Sequence, residues 1–96
     1  MNKGGFVYIM ANKSQTLYAG VTSNLIKRVY EHKNNLVQGF TQKYNLHLLV
    51  YYEVYETIEQ AIFREKQIKN MNRAEKLEMI YKFNPTFKDL YDQIET

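Results

Sequence analysis

The sequence contains no cysteine and no tryptophan, only one proline, Pro85, and four glycines in 96 residues. Without cysteine there can be neither a disulfide framework nor a thiolate metal site. No tract is repeated, low in complexity or rich in proline and glycine, so nothing reads as a linker and residues 1–96 are expected to form a single unit. No stretch approaches the roughly 18 to 20 consecutive apolar residues of a membrane span. The opening Met1-Asn2-Lys3-Gly4-Gly5 lacks the long apolar region of a secretory signal. These absences exclude disulfide-stapled and membrane-spanning classes, and they predict a cytoplasmic protein with no membrane partner.

The residues present are mildly basic and rich in tyrosine. Thirteen Lys plus Arg stand against ten Asp plus Glu, a net charge of +3 that is compatible with a nucleic-acid partner. Nine Tyr and five Phe make up the aromatic complement, and the positions of the tyrosines carry more information than their number.

Phe6-Val7-Tyr8-Ile9-Met10 and Thr16-Leu17-Tyr18-Ala19-Gly20-Val21 are apolar runs separated by the turn-prone Ala11-Asn12-Lys13-Ser14-Gln15, which predicts a β-hairpin. A loop centred on Lys13 sets Tyr8 opposite Tyr18, whereas a one-residue slip sets Ile9 there instead. A helix follows from Asn24 to Asn34, with Thr22 or Ser23 as N-cap and Leu25, Val29 and Leu36 as its apolar stripe. On that helix Arg28 and His32 are neighbours beside the stripe, while Lys27 and Glu31 point away. By themselves they read as an arginine stem lying over the core edge and a hydrogen-bonded, partly buried histidine. Gly39 to Asn45 reads as a loop and Leu46 to Val54 as a third strand. Thr57 with Gln60, and Asn72 with Glu75, are capping boxes that open helices running to Asn70 and Phe83. A last short helix is expected from Pro85, with Phe87, Leu90, Tyr91 and Ile94 on one face.

One residue breaks the pattern. The stripe of the helix from Ile58 to Lys69 is set by Ile58, Ala61 and Ile62 with Ile68 at its border, and Glu65 falls inside it, as does Lys69. Arg64 and Lys66 point elsewhere, as surface charges do. A carboxylate directed at a core must be paired, protonated or bound to a metal. Either Glu65 pairs with Lys69 on a half-covered helix, or it faces a cleft and holds a hard divalent cation through one carboxylate. No second acid stands at a spacing that would make a two-metal clamp.

Phe6-Val7-Tyr8, then Tyr18-Ala19-Gly20, then Arg28 and His32 in the next helix, resemble the GIY-YIG nuclease superfamily. The segment from Leu17 to Leu25, Arg28-Val29-Tyr30-Glu31-His32-Lys33, Gly39-Phe40-Thr41 to Tyr44, Arg64-Glu65-Lys66-Gln67-Ile68-Lys69, Asn84-Pro85 and Asp89-Leu90-Tyr91 are similar to its small single-domain bacterial members. The likeness runs in order along nearly the whole chain. Phe6 stands where the family name has Gly and Ala19 where it has Ile, and neither change removes a hydroxyl, a charge or a ligand.

The resemblance implies a small α+β (α/β) fold, a three-stranded antiparallel sheet flanked by helices with the site on one sheet face. It implies a metal-dependent endonuclease acting on nucleic acid, DNA rather than RNA, through one Mg²⁺ or Mn²⁺ ion. It maps Tyr8 and Tyr18 onto the motif tyrosines, Arg28 onto the catalytic arginine, His32 onto the residue one turn later and Glu65 onto the metal ligand. A tyrosine of ordinary pKa, about 10, is a poor base at neutral pH, so Tyr18 and His32 compete for that role. Lys27, Lys33, Lys43, Lys66 and Lys69 are candidate phosphate contacts, and specificity would come from nucleic-acid structure, these cations or a protein partner. The alternatives are a nucleic-acid-binding module without catalysis and a protein-interaction domain on the same fold.

Overall fold

The computed structural model describes residues 3–95; Met1, Asn2 and Thr96, which belong to the N-terminal stretch and the 1–96 unit read above, lie outside the described residues. The elements are β1 (Gly5–Ala11), β2 (Leu17–Thr22), α1 (Leu25–Lys33), α2 (Phe40–Lys43), β3 (Leu48–Tyr55), α3 (Ile58–Lys69), α4 (Arg73–Phe83) and α5 (Tyr91–Ile94). The strands form one antiparallel sheet in the order β2-β1-β3. This is the α+β architecture expected.

β1 is the central strand and is buried along its whole length, which explains why its sequence is continuously apolar instead of alternating. Phe6, Tyr8 and Met10 pack on one face with Leu25, Val29, Leu46, Leu49, Leu90 and Ile94. Val7, Ile9 and Ala11 pack on the other with Ala61 and Ile68 of α3 and Ile80 of α4. Gly5 permits α3 to settle on the sheet: a Cβ there would lie 2.8 Å from Ile58 Cα and 2.7 Å from the Thr57 carbonyl oxygen. Across β1 and β3 the pairing jumps from Ile9–Tyr51 to Met10–Leu49. This bulge leaves Val50 as the extra residue and puts it with Tyr51 on the α3 side.

The hairpin register differs from the one expected. The loop is centred on Ser14, not Lys13, so Tyr8 faces Gly20 and Met10 faces Tyr18. The cause is local: Asn12 Oδ1 accepts from the Thr16 amide at 3.0 Å, and Gln15 adopts a left-handed φ of 63°. The difference is two residues, so Tyr8 and Tyr18 stay on the same face as diagonal neighbours.

Other boundaries also move. The N-cap of α1 is Asn24, whose Oδ1 accepts from the Lys27 amide at 3.1 Å; Thr22 instead accepts from the Asn24 amide. Leu36 lies beyond α1 and is exposed, because Asn35 turns the chain with φ 56°, and His32 takes the buried place after Leu25 and Val29. The Gly39–Asn45 stretch contains the single turn α2, and the third strand starts at Leu48, not Leu46. Both capping boxes form. No helix starts at Pro85: Asn84 bonds the Lys88 amide and carbonyl, Phe87 has φ 53°, and helix resumes only at Tyr91.

On α3 the buried line is Ala61 and Ile68, while Ile62 is partly exposed. Arg64 is no free surface charge. Its Nε and Nη2 donate to Glu53 at 3.0 and 3.1 Å, and Glu53 also accepts from the hydroxyls of Tyr51 and Tyr55. Burial works against the Glu53 charge, but the bonds from Arg64, Tyr51 and Tyr55 outweigh it and hold its pKa below the usual carboxylate value.

Candidate active site

The site grows out of the sheet face that carries Phe6, Tyr8 and Met10. Tyr8 lies under α1, 1% exposed, and its hydroxyl stands 2.9 Å from His32 Nε2. On the other side of the imidazole, Nδ1 is 3.1 Å from Thr41 Oγ1 of α2. A neutral imidazole has one donor and one acceptor nitrogen, and a hydroxyl serves either, so the chain Tyr8–His32–Thr41 is satisfied without any charge. Burial drives the His32 pKa down to about 4, with the Arg28 charge acting in the same direction. Burial likewise pushes the Tyr8 hydroxyl well above its ordinary value, reinforced by Tyr18. Both groups are therefore neutral at pH 7.

Gly20 makes room for this arrangement. A Cβ at that position would lie 2.5 Å from the Tyr8 hydroxyl oxygen and 3.0 Å from Tyr18 Cε2. Tyr18, on the edge strand β2, is half-buried, with ring centroids 6.4 Å from Tyr8 and 5.8 Å from His32. Its outer side is covered by Phe40 of α2, stacked at 6.5 Å.

Charge enters from both flanks. Arg28, on α1 one turn before His32, has a 41% exposed side chain and pairs with Glu31 at 3.3 Å; Glu31 thus turns toward Arg28 instead of pointing away. From α3, packed across the opposite sheet face, Glu65 reaches the same region. Its side chain is 14% exposed and pairs with Lys69 at 3.4 Å, and Lys69 Nζ lies 5.8 Å from the centre of the Tyr18 ring. The charges of both Arg28 and Glu65 act on the Tyr8 hydroxyl, in opposite senses.

The five residues Tyr8, Tyr18, Arg28, His32 and Glu65 thus meet at one place. The lysines divide. Lys69 belongs to the site and Lys27 lies on its rim beside Arg28. Lys43 stands over the Tyr44 ring at 5.3 Å, and Lys66 is exposed on α3. Lys33 is engaged elsewhere, donating to Asp89 and to the His47 carbonyl and so fastening the C-terminal segment to α1. Gly20 and Thr41 stand in the motifs quoted above without a structural role, and the fold supplies one for each. The signal for Gly20 was its place two residues after Tyr18 on a strand face; for Thr41 no periodicity pointed inward from a stretch that reads as loop.

Among the described residues no three His, Asp or Glu side chains gather as a closed metal cage. Glu65 fits a different kind of ion. It is a shielded carboxylate already drawing a cation, and Mg²⁺ or Mn²⁺ commonly takes one or two carboxylates and fills its shell with water and substrate phosphate.

The family model described as the GIY-YIG catalytic domain matches residues 4–79. A UPF0213 protein of Clostridium perfringens is 39% identical over 75 residues, covering 78% of this chain and 81% of its own length. A UPF0213 protein of Syntrophus aciditrophicus is 40% identical over 81 residues, covering 83% of this chain and 92% of its own. A UPF0213 protein of Staphylococcus aureus is 36% identical over 75 residues, covering 78% and 92%. No solved structure matches the chain with significance. Among the described residues no helix is long and apolar enough to cross a membrane. With Tyr8 and Tyr18 on one face of the sheet, Arg28 and His32 on α1, Glu65 on α3, and the family match running through most of the sequence, the chain belongs to the GIY-YIG family.

Proposed function

We propose that the protein is a metal-dependent endonuclease hydrolysing phosphodiester bonds in nucleic acid, with DNA as the favoured substrate. The observation that carries this reading is the convergence of a neutral buried chain, Tyr8–His32–Thr41, with three more accessible groups, Tyr18, Arg28 and Glu65, at one edge of the sheet.

The roles follow from accessibility and charge. Arg28 binds the scissile phosphate; its planar, permanently charged fork suits two phosphate oxygens, and it exchanges the exposed contact with Glu31 for them. Glu65 would hold one Mg²⁺ or Mn²⁺ ion, which when bound supplies positive charge to the phosphoryl group and the departing 3′ oxygen. Tyr18, after giving its own hydroxyl proton to solvent, accepts the proton of the attacking water as the new O–P bond forms and the P–O3′ bond breaks in line, and the departing 3′ oxygen takes a proton from solvent. His32 is unsuited to take that proton directly, being 2% exposed with both ring nitrogens occupied and its pKa near 4. Tyr8 and His32 instead fix the floor against which Tyr18 stands. Glu65 would exchange its contact with Lys69 for the ion, and Lys69 would then join Lys27, Lys43 and Lys66 in contacting flanking phosphates.

The test is nicking of supercoiled plasmid and cleavage of single-stranded, flapped and branched DNA and of RNA, each with Mg²⁺ and Mn²⁺. We expect metal-dependent cleavage that falls by about 10²-fold or more in Glu65→Gln and Arg28→Ala, the scale on which a lost charge stabiliser acts. A folded Glu65→Gln protein cutting at the native rate overturns the metal assignment. Salt-dependent binding without cleavage of any substrate overturns the enzyme reading in favour of a binding module.

A further inference from the structure

Past Phe40 the catalytic face opens into a groove that none of the roles above uses. Phe40, stacked on Tyr18 and 46% exposed, forms one wall with Leu17. Ser14 and Thr16 of the hairpin loop and Arg73 and Lys76 of α4 form the rest, around a volume of about 360 Å³. Arg73 Nη2 donates to the Gln15 carbonyl at 2.7 Å, which ties the start of α4 to the hairpin turn. Gln15 is shared with a second hollow on the far side of that turn, where Lys13 and Lys88 flank the packed rings of Tyr81 and Phe87.

The groove next to Tyr18 is lined by two cations and two hydroxyls and by no carboxylate. In a chain with ten acidic residues against thirteen basic ones this is a local selection of sign. In the second hollow the one acid, Asp89, is already neutralised by Lys33. Four cations thus follow one another from the catalytic tyrosine across the hairpin turn, with apolar walls between them that suit sugars and bases. We propose that this track carries one strand of the nucleic-acid substrate away from the scissile position, its phosphates held first by Arg73 and Lys76 and then by Lys13 and Lys88. The inference rests on the reading of the chain as a phosphodiesterase and adds to it the direction in which the strand runs.

The test uses the Glu65→Gln protein, so that binding is read without cleavage, and a fluorescently labelled 20-nucleotide DNA strand titrated by anisotropy between 50 and 200 mM KCl. Lys76→Gln carries the argument, because Arg73 also braces the hairpin; Lys13→Gln combined with Lys88→Gln probes the second hollow. Lys82→Gln, on the exposed side of α4 and paired with Glu78, is the control. Each cation taken away from a phosphate should lower the slope of log affinity against log salt by about 0.7 and weaken binding several-fold, as expected for single strands. Melting curves confirm that each variant is folded. Slopes and affinities equal to the parent in both groove variants overturn the track while leaving the proposed function standing. A parent protein that binds no nucleic acid overturns the proposed function, and the track with it.

Discussion

The Tyr8 hydroxyl and the His32 imidazole meet at 2.9 Å inside the protein, and Thr41 closes the far side of the ring at 3.1 Å. The histidine is thereby kept neutral, with its pKa lowered by burial and by Arg28 to about 4. Between that value and the ordinary 6.5 the unfolded chain binds a proton that the folded chain refuses, so stability rises with pH across the window. The contribution is fully present above pH 6.5 and is lost as pH falls toward 4. It amounts to roughly 3 kcal/mol. Urea unfolding of the native protein from pH 7.5 to 4 should show this loss, and His32→Phe should show a shallower dependence. Equal pH dependences would exclude a neutral buried imidazole.

Gly20 should tolerate no side chain. The Cβ of alanine would meet the Tyr8 hydroxyl oxygen at 2.5 Å and its Cζ at 2.6 Å, and Tyr8 has nowhere to retreat at 1% exposure. Gly20→Ala should lose about 1–3 kcal/mol of stability through overpacking. It should also lose most cleavage, because displacing Tyr8 parts it from His32. A melt together with a plasmid-nicking assay reads both effects, and a native-like Gly20→Ala protein would refute the packing argument.

Glu53 and Arg64 should matter to stability and not to chemistry. The pair is mostly shielded, and removing Arg64 leaves a carboxylate held only by the tyrosine hydroxyls. Arg64→Met should cost on the order of 3 kcal/mol, while the folded fraction keeps its native cleavage rate. Because the Glu53 pKa is lowered on folding, its contribution is present above the ordinary carboxylate value and disappears as pH falls through the lower folded one. The Arg64→Met protein should therefore lose less stability on acidification below pH 5 than the native protein. Denaturant titrations at pH 7 and pH 3.5 make the comparison.

Asn84 is buried beneath the C-terminal segment, where its amide donates to the Val50 carbonyl at 3.1 Å and the Lys88 carbonyl at 2.8 Å. Asn84→Ala would orphan those carbonyls and should cost about 1–3 kcal/mol. In a chain of this size that lowers the melting temperature by several degrees or more. A melting temperature within a degree of the native value would show that the segment is held by its apolar residues alone.

Where the backbone obeys local rules, the sequence was legible: both capping boxes, the three strands and the helix carrying Glu65 were readable from side-chain types at fixed offsets. The hairpin register was not, because the Asn12 side chain and a left-handed Gln15 decide it, and apolar patterning alone does not register them. Arg64 reads as a surface charge because its partner is on a strand eleven residues earlier, and a helical wheel sees only its own helix. The site residues themselves were nameable from ordered motifs. Their division into buried and accessible members was not, since it depends on how α1 and α2 close over Tyr8.

That division bears on how any chain with these motifs should be judged. Tyr8 and His32 belong to the interior, so a chain of this fold that does not cleave nucleic acid would still be under pressure to keep them for folding. Arg28, exposed and satisfied by Glu31, and Glu65, answered by Lys69, face no comparable demand from folding and would drift first. The buried Tyr8 and His32 are then a mark of the fold, and Tyr18, Arg28 and Glu65 are the positions that would separate a cleaving member from a non-cleaving one.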